Sequence, residues 1–130
     1  MIAGIIVTHG RLAEELIETA KRVYGDFDGC YAVTNEGKSP QMLFEEIRTL
    51  INAVEDGSCV VFVDFVGGSC CHAGMRLKVE RSDVPIICGV NLPMLLAFLN
   101  KRDSVPLERL VGEIVARGHS SIQAVDRNGL

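Results

Sequence analysis

The sequence predicts an α/β fold that has an open, mostly parallel central sheet with helices on both faces. Short apolar runs alternate along the chain with longer segments of helical periodicity, which is the pattern of parallel strands joined by crossover helices. The run CVVFVDF at 59–65 has almost no polar position, as expected of a central strand that is covered on both faces. Because the chain has 130 residues, we expect residues 1–130 to form one domain.

The first strand and helix are the best defined elements. Mostly apolar residues at 2–7 form the strand, which ends abruptly at the tripeptide Thr8-His9-Gly10. An amphipathic pattern at 12–23 follows at once and predicts a helix with one apolar face. A titratable histidine therefore lies in a very short turn between a strand and a helix.

A second strand and helix continue the alternation. Residues 30–34 form a short strand-like run, and the loop after it ends at Ser39-Pro40. Serine is a good helix N-cap, and proline is well tolerated at the first helical position. A helix with one apolar face is therefore expected from Pro40 to about residue 54.

The central run at 59–65 ends in an acidic residue, Asp64, and glycines follow closely. A third helix with weak periodicity is predicted from residue 70 to about residue 79. The apolar run at 84–90 predicts a fourth strand, which Asn91 closes. Strand and helix thus still alternate in the middle of the chain.

The last third of the chain contains a helix at 92–99 that is apolar on nearly every side. A helix without a polar face must be covered, and in so small a domain we expect a second subunit to cover it. An amphipathic helix at 107–118 and a short strand at 121–125 follow. This last strand has no hairpin partner next to it in the sequence.

Parallel strands place their carboxyl ends at one edge of a sheet, where open α/β proteins bind their ligands. Polar residues stand at or just after the ends of the first four predicted strands: His9, Asn35, Asp64 and Asn91. We expect them to converge, and His9 and Asp64 are the candidate catalytic pair. A carboxylate that accepts a hydrogen bond from Nδ1–H fixes the imidazole tautomer, so that Nε2 is free to act as a base or nucleophile.

A phosphoryl group fits the residues around this pair. Backbone N–H groups at a helix start bind anions without a metal ion, and glycine-rich turns and hydroxyl groups add further donors. The candidate phosphate-binding residues are Gly10, Gly67, Gly68 and Ser69. We therefore predict phosphorylation of His9 itself, with neither a cofactor nor a metal ion.

The cysteines leave a different interpretation open. Cys70, Cys71 and His72 lie near Asp64 in the sequence and could bind zinc, although adjacent cysteines without a CxxC spacing argue against it. The thiol of Cys70 could be acidic, because it lies at a predicted helix start. The chain has five cysteines, an odd number, which indicates reduced thiols. A metal-binding or thiol module is thus the alternative class.

Charge and composition argue against other classes of function. The formal net charge is −4, Lys and Arg are not clustered and Trp is lacking, so we expect no nucleic-acid partner. The longest apolar run, at 92–99, is too short to cross a bilayer. Met1 leads into the first strand without the basic region of a signal peptide, so we expect a cytoplasmic protein.

With these residues placed, the chain resembles the mannose-type enzyme IIA of the bacterial phosphoenolpyruvate:sugar phosphotransferase system. The matching segments are GIIVTHGRLAEELIETA, VVFVDFVGGS and VPIICGVNLPMLLAFL. The resemblance implies that His9 accepts a phosphoryl group from the phosphocarrier HPr and passes it to an enzyme IIB. It also matches Asp64 and Ser69 to the family's aspartate and serine at this site. The sequence departs from the common Gly-Gly-Ser-Pro pattern at Cys70.

The resemblance further implies a homodimer in which the final strand crosses to the partner's sheet. Such an exchange would explain the unpaired strand at 121–125 and the apolar helix at 92–99. Because the chain stops at residue 130, we expect the IIB protein and the membrane permease components to be separate proteins. Two related roles stay open: a phosphoryl-donor subunit like that of dihydroxyacetone kinases, and a regulatory module whose phosphorylation state controls another protein.

Overall fold

The computed structural model of the chain describes residues 1–129, in which strands and helices alternate. In chain order the elements are β1 (Ala3–Thr8), α1 (Leu12–Tyr24), β2 (Cys30–Thr34), α2 (Pro40–Ala53), a 3₁₀ turn (Glu55–Gly57), β3 (Cys59–Val63), α3 (Ser69–Glu80), β4 (Ile86–Cys88), α4 (Leu92–Lys101) and α5 (Leu107–Ser120). The strands form one sheet in the order β2-β1-β3-β4, and each neighbouring pair is parallel. The predicted α/β fold with an open parallel sheet is confirmed.

The local signals at the start of α2 are confirmed, whereas β4 is shorter than predicted. The hydroxyl of Ser39 accepts a 3.2 Å hydrogen bond from the N–H of Met42, and proline begins the helix.

β4 pairs with β3 only up to Val63, whose carbonyl oxygen accepts hydrogen bonds from the N–H groups of both Gly89 and Val90. Because the backbone turns at Gly89, with φ of +92°, the strand ends before residue 90.

Helices cover both faces of the sheet, as predicted. α2 and α3 pack on one face, and α1, α4 and α5 pack on the other. The side chains of β1 alternate between the two cores, because Ile5 and Val7 belong to the first and Ile6 belongs to the second. β3 alternates in the same way and is buried along its whole length, which explains its uninterrupted apolar sequence.

The chain itself buries most of the apolar helix α4. Leu95 and Phe98 are fully buried in the second core, where α4 packs against α1 and α5. The ring of Phe98 meets that of Phe62 from β3 edge to face, with 5.4 Å between the centroids. Leu92 and Leu96 remain only partly buried, so cover of this helix by a second subunit stays a prediction. Within residues 1–129, no helix has the length and apolar character to span a membrane.

The predicted strand at 121–125 does not form within the described residues. α5 extends to Ser120, and Ser121 continues its last turn by donating its N–H to Arg117 O and its hydroxyl to Gly118 O. The side chains of Ile122 and Val125 are 77% and 70% exposed. The prediction is wrong for the single chain because α5 takes up the start of the segment, and exchange across a homodimer stays a prediction.

Candidate active site

The carboxyl edge of the sheet brings His9 and Asp64 together. Val7 of β1 pairs with Val63 of β3, so the residues that follow these positions leave the sheet side by side. The N–H of His9 donates a 2.8 Å hydrogen bond to Asp64 Oδ2, and Nδ1 of His9 lies 2.8 Å from the same oxygen. The predicted contact between these residues is present, and their catalytic role stays a prediction.

The contacts of Asp64 determine the tautomer of His9. The other carboxylate oxygen, Oδ1, accepts a 3.0 Å hydrogen bond from the N–H of Phe65, which holds the side chain in place. An ionised carboxylate only accepts hydrogen bonds, so Nδ1 is the donor and Nε2 keeps its lone pair. The Asp64 side chain is only 8% exposed, whereas that of His9 is 36% exposed. A partner can thus reach the imidazole while the carboxylate is withdrawn from water.

Neighbouring residues fix the position of the His9 ring. Thr8 Oγ1 accepts a 2.8 Å hydrogen bond from the N–H of Ala13 and so satisfies one of the first N–H groups of α1. The ring of Phe65 stacks on that of His9, with 4.9 Å between the centroids and 25° between the planes. A Cβ atom at Gly68 would lie 2.7 Å from Phe65 Cζ and 2.9 Å from His9 Cε1. Only glycine leaves room for this stack.

The start of α3 lies beside Nε2 of His9. Ser69 is the first residue of α3, and its Oγ is 3.3 Å from Nε2. Gly68 occupies the N-cap position, and among residues 1–129 no side chain caps this helix. The first N–H groups of a helix have no partner within the helix, and the helix dipole favours an anion there. A phosphoryl group on Nε2 would therefore meet an anion-favouring helix start.

Asn35 connects the parts of this site. Its Oδ1 accepts a 3.3 Å hydrogen bond from the N–H of Gly10, and its Nδ2 donates a 3.4 Å hydrogen bond to Ser69 Oγ. Of the predicted phosphate-binding residues, Gly10 thus has its N–H engaged, while Gly67, with φ of +96°, shapes the turn before α3. The position of Asn35 after β2 predicts its place at this edge, but no sequence pattern indicates these hydrogen bonds.

Asn91 does not join this site. Its Oδ1 accepts a 3.0 Å hydrogen bond from the N–H of Met94 and caps α4, and its Nδ2 donates to Gly118 O of α5. The expectation that Asn91 converges with the other strand-end residues is therefore wrong, because helix capping takes up its amide group. Phe65 joins the site instead, and an aromatic residue directly after the aspartate carries no recognisable sequence signal.

The zinc set Cys70, Cys71 and His72 does not form within the described chain. Cys70 Sγ lies 3.7 Å from His9 Nδ1, whereas Cys71 Sγ lies 3.8 Å from Cys88 Sγ. His72 is exposed on α3. That metal-binding interpretation is wrong because successive residues of a helix point in different directions.

The thiol of Cys70 is protonated at neutral pH. Cys70 is fully buried, and burial together with the nearby Asp64 carboxylate raises its pKa from the ordinary 9.0 to about 11. A helix start lowers the pKa of an accessible thiol, but here the loss of water is the larger effect. The expectation of an acidic Cys70 is therefore wrong.

Comparison with known proteins identifies the family. Residues 3–115 match the family described as "PTS system fructose IIA component". The chain belongs to this family. The mannose-specific EIIAB component of Escherichia coli (strain K12) is 32% identical over 127 residues, which cover 95% of this chain and 39% of that protein. The chain therefore spans less than half the length of that relative.

A relative of similar length supports the same IIA assignment. The fructose-specific EIIA component of Bacillus subtilis (strain 168) is 30% identical over 125 residues, which cover 95% of this chain and 86% of that protein. The resemblance to mannose-type enzymes IIA is confirmed. Both of these relatives are named as components of the phosphotransferase system.

Solved structures of IIA proteins share the fold. The phosphotransferase system component EIIA from Streptococcus agalactiae superposes with a TM-score of 0.86 at 23% identity, covering 95% of this chain and 97% of that one. The mannose/sorbose-specific IIA subunit from Enterococcus faecalis gives 0.84 at 18% identity, covering 99% and 98%. At these identities the likeness shows the fold of the IIA family alone.

Proposed function

We propose that this IIA protein is a phosphocarrier that accepts a phosphoryl group from phospho-HPr on Nε2 of His9 and passes it to an enzyme IIB. The observation that carries the proposal is the 2.8 Å contact between His9 Nδ1 and Asp64 Oδ2. This contact keeps the ring proton on Nδ1 and leaves Nε2 as the nucleophile. Family membership supports phosphoryl transfer, and the donor and acceptor proteins are part of the proposal.

The proposed transfer needs only the side chains at the sheet edge. The lone pair of Nε2 attacks phosphorus, the nitrogen–phosphorus bond forms, and the bond to the donor breaks with its electron pair leaving on the donor. The imidazole of His9 then carries a positive charge, because Nδ1 keeps its proton. Asp64 faces this charge, and a hydrogen bond to a charged group contributes about 1.5–3 kcal/mol. Transfer to enzyme IIB reverses these changes.

The proposal also includes a binding site for the negatively charged phosphoryl group. We assign its binding to the start of α3, where Gly67 and Gly68 form the turn and Ser69 offers a hydroxyl group 3.3 Å from Nε2. A negative charge at a helix start gains about 0.3–1 kcal/mol at a surface site. Gly10 contributes by shaping the turn after His9, with φ of +59° and its N–H bound to Asn35.

Oligomeric state and location complete the proposal. We propose a homodimer in which residues 121–125 of each chain add a strand to the partner's sheet. The exposed side chains of Ile122 and Val125 support this exchange, since exposed large apolar side chains mark surfaces that contact other proteins. We also propose a cytoplasmic location, where HPr and enzyme IIB would link the protein indirectly to the membrane permease components.

The test is phosphorylation with phosphoenolpyruvate, enzyme I and HPr, followed by intact-mass measurement. Wild type is expected to gain one phosphoryl group, and His9→Ala is expected to gain none. His72→Ala and His119→Ala are matched controls, because both residues are exposed histidines away from Asp64. A His9→Ala protein that is still labelled would refute the proposal. Loss of the label when a candidate enzyme IIB is added separates a carrier from a purely regulatory module.

A further inference from the structure

We propose that His9, Asp64 and Cys70 form a zinc site that excludes phosphorylation of His9. These residues come from three segments: the turn after β1, the end of β3 and the first turn of α3. One donor atom from each lies within 4.8 Å of the other two. The competition with phosphorylation rests on the proposed function, whereas zinc binding does not.

The distances fit a zinc ion with little movement. From His9 Nδ1, Asp64 Oδ2 is 2.8 Å away and Cys70 Sγ is 3.7 Å away. With zinc–ligand bonds of about 2.0–2.3 Å, the donors of a tetrahedral site are about 3.3–3.7 Å apart. The nitrogen and oxygen must therefore separate by about half an ångström, while the sulfur already lies at a suitable distance from the nitrogen and within 4.8 Å of the oxygen.

The donor set and its charge favour zinc over other cations. An imidazole, a carboxylate and a thiolate match the borderline preference of Zn²⁺, whereas Mg²⁺ and Ca²⁺ prefer oxygen donors alone. The thiol of Cys70 releases one proton to solvent when the metal binds, and Asp64 binds as a carboxylate. Zn²⁺, one thiolate and one carboxylate then sum to zero net charge. A neutral complex suits a site where Cys70 is fully buried and Asp64 is 8% exposed.

Zinc on Nδ1 would prevent the proposed phosphoryl transfer. The metal takes the Nδ1 lone pair, so the single proton of the neutral imidazole moves to Nε2. Nε2 then has no lone pair with which to attack phosphorus. Conversely, phosphorylated His9 carries its proton on Nδ1 and presents no metal-binding nitrogen to Asp64 and Cys70. The two states are mutually exclusive, and each must weaken the other reciprocally.

Zinc binding is tested on the reduced, metal-free full chain by competition with a chromogenic zinc chelator. Wild type is expected to bind one Zn²⁺, and Co²⁺ at the same site is expected to show a thiolate charge-transfer band. Cys70→Ser should lose the band and weaken zinc binding by at least about 100-fold, since even second-sphere changes cost 10–100-fold. Cys70→Ala is the second variant in case the buried serine destabilises the fold, and His9→Ala removes a ligand without disturbing the core.

Cys71→Ser and His72→Ala are the matched controls, since they are the adjacent thiol and the exposed histidine. Both are expected to bind zinc as wild type does. If Cys70→Ser or Cys70→Ala keeps wild-type affinity, the proposal is overturned. Loss of binding in Cys71→Ser with retention in Cys70→Ser would overturn it as well, because the metal would then lie at the close thiol pair of Cys71 and Cys88.

The competition is tested by offering Zn²⁺ to wild type before and after its phosphorylation. Phosphorylated protein is expected to bind zinc at least about 100-fold more weakly, because Nδ1 is lost as a ligand. Equal zinc affinity of the two forms would overturn the competition. A protein that binds zinc but is never phosphorylated would refute the proposed function and leave the zinc site standing. A protein that is phosphorylated but binds no zinc would refute the site alone.

Discussion

Replacing Asp64 with asparagine tests how the carboxylate acts on His9. Asp64 Oδ2 accepts from the His9 N–H and faces Nδ1, while Oδ1 accepts from the N–H of Phe65. An asparagine side chain has one oxygen and one NH₂ group, so the NH₂ group must face either His9 or the N–H of Phe65. If the NH₂ faces His9, the ring proton is forced onto Nε2 and the nucleophile is lost. If it faces Phe65, the tautomer survives but the negative charge does not.

The orientation in which the NH₂ group faces Phe65 gives the smallest expected effect of Asp64→Asn on the transfer rate. Losing the charge-assisted hydrogen bond to the phosphorylated imidazole removes about 1.5–3 kcal/mol, which corresponds to a transfer rate about 10- to 150-fold lower. The N–H of Phe65 loses its acceptor in that orientation, and because this hydrogen bond is exposed to solvent, the unfolding free energy should fall by no more than about 0.5–1.5 kcal/mol. Folding itself should survive, because this loss is smaller than the stability of a typical domain.

The assay is rapid-quench measurement of phosphorylation by phospho-HPr, together with urea unfolding of the same samples. Asp103→Asn is the matched control, because it makes the same chemical change at an exposed aspartate. It should leave both the transfer rate and the unfolding free energy within error of wild type. Transfer by Asp64→Asn at a near-normal rate would refute the assignment of charge and tautomer control to this residue.

Three further predictions follow from packing, burial and exposure. Gly68→Ala places a Cβ 2.7 Å from Phe65 Cζ and should slow phosphorylation, and adding Phe65→Ala should restore part of the rate if crowding is the cause. Burial raises the pKa of the Cys59 thiol from 9.0 to about 11, so the folded state binds the thiol proton more tightly than the unfolded state does. The free energy of unfolding, measured with urea, should therefore fall as the pH rises between these two values. The fall should be less steep in Cys59→Ala. Replacing both Ile122 and Val125 with aspartate should convert the proposed dimer to a monomer in light scattering, and an unchanged mass would contradict strand exchange.

The alternation of strands and helices could be predicted because hydrophobic periodicity reports which face of each element is buried. It does not report what lies opposite that face. The apolar sequence of α4 showed that the helix is covered, but its partners are Phe62 of the sheet and the helices α1 and α5 of the same chain. The end of β4 also depends on tertiary structure, because its pairing stops at Val63, the last residue of β3.

The contact between His9 and Asp64 could be predicted from topology alone. Both residues follow strands of one parallel sheet, and such strands share their carboxyl edge. The roles of Asn35 and Phe65 could not, because they depend on how loop side chains pack around the ring after the chain has folded. The raised pKa of the Cys70 thiol could not be predicted either, because the position of Cys70 at a helix start is visible in the sequence and its complete burial is not.

The most direct test of the account is nitrogen NMR of the histidine-labelled protein before and after phosphorylation. In the free protein, Nδ1 of His9 should carry the ring proton and Nε2 should be unprotonated. After phosphorylation, coupling to phosphorus should appear at Nε2 of His9 and at no other histidine nitrogen. A proton on Nε2 in the free protein, or phosphorus on Nδ1 or on another histidine, would contradict the assignment of Asp64 as the residue that directs the nucleophile.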